Sequence, residues 1–454
     1  MKIKKSIVFI ACGVIAIGLI TAGLVILLNQ PNDIAVKDSE GNVFATFTYV
    51  DSEVALNIEN ESLKESAYIA FEEAVGKIAD KYNLEEGEAV KKLFKSADCI
   101  NTTLQTELVN NLKSSVEKNN ITANTSLVLM NAEGEILAGY SNSEKNEAFC
   151  NYKTYLGSTI KPLSIYAPAI ESGEFFWSST FVDSPVSVTV SETGEKSDWP
   201  RNSDGKYTEE NITLCNALAF STNTIAVKLL QEYGVNKSIN VLEEKFGLNV
   251  DFEKSKAELN GENEVLAAIG LGYLYGGASN IELAGSYQVF LNDGYYTKPH
   301  CVEAITNNEN DVVEIKYKKK RLFSSGTAGV MQKMLRNVVI GGTGTDARIK
   351  DIQVCGKTGT TEENSDNWFV GFTPEYICSV YHATESTRGN LCPKLFSDAV
   401  KDIPHTETEF KTSNSITRQP YCEKTGLLIG EGCKDGNLGY FSKKSVPVMC
   451  TQCK

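Results

Sequence analysis

The strongest hydrophobic feature of the chain is SIVFIACGVIAIGLITAGLVILL, apolar from Ile7 to Leu28 apart from Thr21 and the weakly polar Cys12, with Ser6 at its edge. At about 1.5 Å of rise per residue, a helix of this length crosses a bilayer core of about 30 Å. Lys2, Lys4 and Lys5 precede it, and basic flanks favour the cytoplasmic side. The expectation is a cytoplasmic stub over residues 1–5, a single transmembrane anchor over 6–28, and the remainder outside the cell membrane. A cleaved signal peptide is the alternative. The apolar run is long for one, and no small-x-small cleavage site precedes NQPND.

Beyond the anchor the hydrophobic period changes from segment to segment. Residues 33–51, DIAVKDSEGNVFATFTYVD, alternate around an EGN turn and predict a hairpin. Residues 61–97 and 104–118 carry helical spacing, as in SAYIAFEEAVGKIADKY and LQTELVNNLKSSVEK. TSLVLMNAEGEILAGYS, residues 125–141, predicts a second hairpin. From Ser158 to Ser172, Leu163, Tyr166, Ala167 and Ile170 share one helix face, and Gly173 closes it. Residues 211–233 predict two helical patches interrupted at FSTN, and 264–291 a small-residue helical region around YGGAS. DIQVCGKTGT, DNWFVGFTP and EYICSVYHA, within 351–383, are three strand-like runs in quick succession, hence an antiparallel sheet. The fold class is α+β, a sheet packed by helices with a helical subdomain. The expected division is a small pedestal over 30–98, the main domain over 99–400 and a polar, cysteine-bearing tail over 401–454.

The formal net charge of −14 on 454 residues argues against a nucleic-acid partner, whose affinity rests on basic side chains neutralising phosphates. Of 12 cysteines, Cys12 lies in the anchor; the number left is odd, so at least one has no partner within the chain. An extracytoplasmic location permits disulfides. The local candidates are Cys422 with Cys433 and Cys450 with Cys453. A zinc site from the same four is the rival reading, with one C-x-x-C and no nearby histidine to support it.

Candidate chemistry starts at YLGSTIKPLS, where Lys161 follows Ser158 by three residues and therefore lies on the same helix face. A serine in the first helical turn sits near N–H groups that have no partner and can receive an oxyanion. Its hydroxyl still needs a base. The histidines are His300, His382 and His405, none in a recognisable catalytic setting beside a serine. Lys161 can serve if burial or a neighbouring cation lowers its pKa from about 10.4. GKTGTT, residues 356–361, supplies Lys357 as that second cation, Thr358 and Thr360 as carboxylate ligands, and Gly359 as a place for substrate backbone to lie against a strand. FSTNT, residues 220–224, puts Ser221 and Asn223 on a break between helices, where both can face a cleft.

Each fragment recurs elsewhere. S-x-x-K appears at Ser115–Lys118, read as an exposed charged helix, and at Ser203–Lys206, read as a turn. S-x-N appears at Ser238–Asn240 and Ser365–Asn367, and K-T-G at Lys424–Gly426, read as structural. The joint order S-x-x-K, S-x-N, K-T-G-T, each in a fitting local setting, is specific. With it, YLGSTIKPLSIYAPAIESG, WPRNSDGKYTEENITLCNALAFSTNTIAVKLLQEYG, ASNIELAGSYQVFLNDGYYTKP, GGTGTDARI and CGKTGTTEENSDNWFVGFTP resemble the transpeptidase domain of class A penicillin-binding proteins, over roughly residues 99–383. CEKTGLLIGEGC resembles a segment that often ends such proteins.

The resemblance implies a serine β-lactamase/penicillin-binding-protein-like fold and a role for each residue. Ser158 would be the acylated nucleophile, Lys161 its general base, and Ser221 the relay of a proton to the leaving amine. Asn223 would orient Lys161 and bind the substrate amide, and Lys357 would hold Ser221. Thr358 and Thr360 would grip the substrate carboxylate, and the N–H groups of Ser158 and Thr360 would form the oxyanion hole. No metal or cofactor is implied at this site. The implied partners are stem peptides ending in D-Ala-D-Ala, β-lactams and a separate glycan polymerase. Class A members carry a glycosyltransferase domain between anchor and transpeptidase; residues 30–98 are too few for it, so a remnant is expected, with Glu72 or Glu73 where its catalytic acid would fall and no glycan polymerisation. Cys355 replaces a small aliphatic residue and reads as a buried small side chain.

The resulting expectation is a membrane-anchored serine D,D-transpeptidase. A D,D-carboxypeptidase would differ only in using water as acceptor. A β-lactamase would need a base for deacylation; AELN contains Glu258, but Lys256 stands four before Asn260 where class A β-lactamases have their glutamate. A non-catalytic wall or β-lactam sensor is the reading from another class.

Overall fold

The structure is a computed structural model that describes residues 33–122, 124–143, 148–189, 196–248, 266, 269–274, 276–307, 310–361, 366–383 and 389–453. The expected stub and anchor, and the Lys256–Asn260 stretch, lie outside the described residues. Among the described residues no helix is long and apolar enough to cross a membrane.

Two sheets organise the chain. The predicted first hairpin forms as β1 (Ile34–Lys37) and β2 (Val43–Val50), followed by β3 (Glu53–Asn57), which the alternation did not reveal. The Asp38 carboxylate closes the turn by accepting from the N–H groups of Glu40 and Asn42. Helices α1 (Lys64–Tyr82) and α2 (Glu86–Ser96) follow, then β4 (Cys99–Thr102) and α3 (Thr106–Lys118). The second predicted hairpin forms as β5 (Thr125–Asn131) and β6 (Ile136–Ser141).

The first sheet runs β8-β7-β4-β1-β2-β3, where β7 is Val302–Asn307 and β8 is Asn310–Val313. Residues expected as a pedestal therefore share a sheet with strands distant in sequence. Glu73 strengthens the link, accepting from the N–H groups of Cys301 and Val302 and from the Tyr317 hydroxyl. Glu72 accepts from Ala148 N–H and the Asn151 amide.

The second sheet, order β9-β10-β11-β5-β6, is antiparallel and contains β9 (Cys355–Thr360), β10 (Asp366–Phe372) and β11 (Tyr376–Ala383). It is covered on both faces. Leu127 and Leu129 pack with Leu112 of α3 and with Phe396 of the helix Cys392–Val400. Val128 and Met130, on the opposite face by the two-residue period of a strand, join the other core cluster with Tyr287 and Leu163. This is why residues 127–130 are apolar without alternation.

Two chance copies of the motifs take structural roles. Ser115 is buried, not on the surface: its turn of α3 faces the Cys392–Val400 helix, and its hydroxyl donates to Leu112 O. Ser238 is also buried and donates to Ser164 O. Ser203–Lys206 is an exposed turn, as read, with Gly205 at φ 70°. Ser365 lies outside the described residues. The tail forms a hairpin, β12 (Ile416–Cys422) and β13 (Gly436–Ser442), whose Lys424–Gly426 turn places Gly426 against Ser178.

Candidate active site

Ser158 sits where the sequence pattern starts its helix, but the helix is irregular. Residues Gly157–Ile160 form a 3-10 turn, Pro162–Tyr166 a π turn and Ala167–Ser172 regular α-helix, ending at Gly173 with φ 78°. π turns recur at functional sites because they redirect a side chain without ending the helix. Gly157 has φ 52°, and a Cβ there would lie 2.6 Å from Thr360 O. A Cβ on Gly359 would lie 2.6 Å from Leu156 O and 2.8 Å from Thr159 Cγ2. The two glycines let strand β9 run against the turn that carries Ser158. The Trp368 indole fixes that turn further by donating to Tyr155 O at 2.9 Å.

On β9, Gly359 faces the Ser158 turn, and the Lys357 amine reaches back to within 3.4 Å of the Thr358 hydroxyl. Lys357 donates to Ser221 Oγ at 2.9 Å and to Thr358 O at 2.9 Å. Lys161 donates to Ser221 O at 2.8 Å, Ser221 Oγ at 3.3 Å and Asn223 Oδ1 at 2.6 Å. The Ser221 hydroxyl is thus held between two lysines from different elements. Ser158 is partly exposed beside this group, and its hydroxyl is not among the partners of Lys161.

Ser221 and Asn223 lie on the predicted break, between the helices α4 (Leu214–Ala219) and α5 (Asn223–Tyr233). Ser221 takes φ 59°, a left-handed conformation unfavourable to a residue with a Cβ. It permits the carbonyl and hydroxyl of Ser221 to face Lys161 together.

Both lysines are fully buried, at 0% exposure, and neither has a carboxylate partner among the described residues. Burial, followed by the charge of Lys357, pushes Lys161 well below the ordinary lysine range. Burial pushes Lys357 down to about 7. The condition set by the sequence for a lysine base, desolvation plus a second cation, is met by geometry.

Of the residues expected at the site, Lys161, Ser221, Asn223, Lys357 and Thr358 are joined by hydrogen bonds. Ser158 is placed beside Gly359 and Thr360 by the turn that runs against β9, without a hydrogen bond from its hydroxyl to Lys161. Two supports were not picked out as site residues. Thr343 Oγ1 lies 2.6 Å from Thr358 Oγ1, on a loop held by the Thr343 N–H to Ala219 O bond at 3.0 Å. Its signal was the glycine-rich GGTGT. Asp183, buried, accepts from Thr224 Oγ1 at 2.6 Å, Asn202 Nδ2 at 2.8 Å, and Thr208 N and Oγ1 at 2.9 and 3.1 Å. Burial raises the Asp183 carboxyl, but the hydrogen bonds outweigh it and hold the group below its usual range. Asn202 Oδ1 in turn accepts from Asn223 N at 3.0 Å, and Arg201 O accepts from Asn223 Nδ2 at 2.7 Å. Asp183 therefore sets the loop that orients Asn223. Asp183→Ala is expected to slow acylation by a β-lactam by about 10- to 100-fold through misplacement alone, with unchanged final labelling, as followed by time-resolved labelling with a fluorescent penicillin.

Cys355 is buried with its thiol on Gln332 O, and burial pushes the thiol up. That fits the reading of a small buried side chain.

Residues 125–398 match the family described as penicillin binding protein transpeptidase domain. Among relatives, penicillin-binding protein 1A of Clostridium acetobutylicum is 34% identical over 236 residues, 51% of this chain and 28% of that protein. Penicillin-binding protein 1A/1B of Bacillus subtilis is 26% identical over 417 residues, 84% of this chain and 43% of that protein. The chain thus spans less than half the length of these curated relatives. Among solved structures, the D,D-transpeptidase domain of a peptidoglycan glycosyltransferase from Eggerthella lenta aligns with TM-score 0.59 at 20% identity, covering 82% of this chain and 98% of that one. Penicillin-binding protein A from M. tuberculosis, an imipenem acyl-enzyme complex, aligns with TM-score 0.62 at 15% identity, covering 82% and 98%. At these identities the two structures speak for the fold.

Proposed function

Since the chain belongs to the penicillin-binding protein transpeptidase family, we propose that it is a membrane-anchored serine D,D-transpeptidase that cross-links peptidoglycan stem peptides outside the cell membrane. The observation that carries this reading is the Ser221 hydroxyl held between Lys161 and Lys357.

Two short contacts, to Ser221 O and Asn223 Oδ1, use both N–H bonds of a neutral Lys161 amine. Its lone pair then faces the Ser221 hydroxyl at 3.3 Å, and on substrate binding turns from that long contact to take a proton from Ser158 Oγ. Catalytic hydrogen bonds in free enzymes are often long and tighten on substrate binding, which accommodates the absent Ser158–Lys161 bond. The Ser158 oxygen attacks the carbonyl of the penultimate D-Ala of a donor stem. The carbonyl oxygen becomes an oxyanion facing the N–H groups of Ser158 and Thr360. As the C–N bond breaks, Lys161 returns the proton through Ser221 to the leaving amine, and D-Ala departs. An amine of a second stem then attacks the ester, loses its proton along the same path, and frees Ser158. Thr358 and Thr360 hold the donor carboxylate, with Lys357 as the nearby cation. A β-lactam acylates Ser158 in the same way, and its acyl-enzyme persists when no base activates water. A separate polymerase supplies the glycan.

The acceptor distinguishes the readings. Incubation with nascent glycan bearing stem pentapeptides is expected to yield cross-linked dimers with release of D-Ala. Tetrapeptide monomers alone would make the protein a carboxypeptidase. Release of neither, with stable β-lactam labelling, would make it a sensor.

A further inference from the structure

The tail contains a second concentration of reactive side chains, far from Ser158 in sequence and unused by the chemistry above. The expected Cys422–Cys433 and Cys450–Cys453 bridges are not formed; all four cysteines are free. Their sulfurs instead converge, all within 4.8 Å of one another. Cys422 Sγ lies 3.5 Å and Cys450 Sγ 3.7 Å from Cys453 Sγ. A disulfide needs about 2.05 Å. A tetrahedral ion with Zn–S bonds of about 2.3 Å needs sulfurs about 3.8 Å apart. The spacings of 3.5 and 3.7 Å lie close to the second value, and all four sulfurs stay within 4.8 Å, far from the first.

The backbone builds this convergence from three segments. Cys422 ends β12, and its N–H donates to Leu427 O at 2.7 Å. Cys433 lies on the connection to β13, where Gly430 N–H donates to Cys433 Sγ at 3.4 Å and Cys433 N–H to Gly430 O at 3.1 Å. An N–H pointed at a ligand sulfur orients it and stabilises its thiolate charge. Cys450 arrives from the end of the chain, its N–H bonded to Leu428 O at 2.7 Å. Gly430 is required at this crossing, since a Cβ there would lie 1.9 Å from Cys450 O.

Ile416, Tyr421 and Phe441 anchor the β12–β13 hairpin in the core, but the residues after it have little to hold them. Val448 and Met449 are 71% and 61% exposed, so the last residues bury little apolar surface. Segments of this size without a core are commonly fixed by a metal or by disulfides. We propose that Cys422, Cys433, Cys450 and Cys453 form a structural zinc site that fastens the last residues of the tail to its hairpin. Four thiolates around a closed tetrahedron select a soft divalent ion and leave no open position for catalysis. Binding converts four thiols to thiolates, releasing up to four protons. No oxidant is needed, whereas two disulfides would each require one to remove two electrons.

The hairpin itself packs Tyr440 on Trp177, with ring centroids 5.4 Å apart, and Ser178 Oγ donates to Gly426 O at 2.5 Å. Both partners lie just after the helix that carries Ser158 and Lys161. Loss of zinc is expected to free the last residues of the tail without removing the catalytic groups.

The full chain, purified without chelator or reductant, is assayed for metal by mass spectrometry and for thiols by alkylation before and after chelation. Expected is a single zinc per chain, four additional alkylated cysteines after its removal, and four sulfur neighbours at the zinc X-ray absorption edge. Cys433→Ser with Cys450→Ser should reduce zinc to background and expose the end of the tail to proteolysis, while Ser158 remains labelled by penicillin. The absorption measurement on unaltered protein stands even if that variant does not fold. Absence of zinc with these cysteines in disulfides, or zinc bound through nitrogen and oxygen, would overturn the proposal and leave the serine chemistry untouched.

Discussion

Ser158→Ala abolishes covalent labelling by a fluorescent penicillin, as seen on a denaturing gel and by intact mass. The loss is complete rather than partial, because a stable adduct requires a nucleophile to which the acyl group remains attached. Two serines stand close to the lysines, so the assignment needs its own argument. Ser221 Oγ is already engaged by Lys357 and Lys161, and its backbone at φ 59° is shaped to present carbonyl and hydroxyl to those amines. Ser158 is partly exposed and rests on the turn that runs against β9. Ser221→Ala should therefore still label, slowly. Alanine at residue 158 alters no hydrogen bond among the described residues, so the variant should melt with the wild type. Labelling that survives in Ser158→Ala and maps to Ser221 would reverse the roles.

The second large effect is on Lys161. Lys161→Met should slow acylation by about 100- to 10,000-fold, the usual contribution of a general base. Methionine approximates the buried stem of lysine while removing the amine. Stability should not fall with activity. A buried lysine with a depressed pKa gives up, on folding, a proton that the unfolded chain keeps. Stability therefore rises as pH increases from the folded value, about 7 for Lys357, toward the unfolded value of about 10.4. It is lost as pH falls back through that window. At neutral pH the two lysines are a cost to the fold, and Lys161→Met relieves part of it. A variant more stable and much slower is the signature of a strained functional group. Equal losses of stability and rate would mark Lys161 as structural.

Much of the site was legible because its chemistry sits on local features. Ser158 and Lys161 are one helical turn apart, FSTN breaks a helix, and GKTGT alternates on a strand. Such relations survive in a linear reading. The 3-10 and π turns around Lys161 were not visible, because apolar spacing does not resolve which carbonyl each N–H chooses. Asp183 escaped for a different reason. It acts through Asn202, Thr208 and Thr224, and long-range hydrogen bonds leave no periodicity. The six-stranded sheet was hidden likewise, since β1 pairs with β4 and β4 with β7 across long connections. In the tail, short sequence spacing favoured local disulfides, whereas the folded hairpin brings Cys422 beside Cys453.

The central claim is that Lys161 is neutral in the free enzyme at neutral pH. Carbon-13 NMR of lysine-labelled protein, titrated with pH and assigned by loss of the signal in Lys161→Met, measures this directly. The account predicts a Lys161 resonance that titrates well below the ordinary range near 10.4 and shifts upward when Lys357 is replaced by methionine. A Lys161 that stays charged until ordinary lysines titrate, indifferent to Lys357, would contradict it.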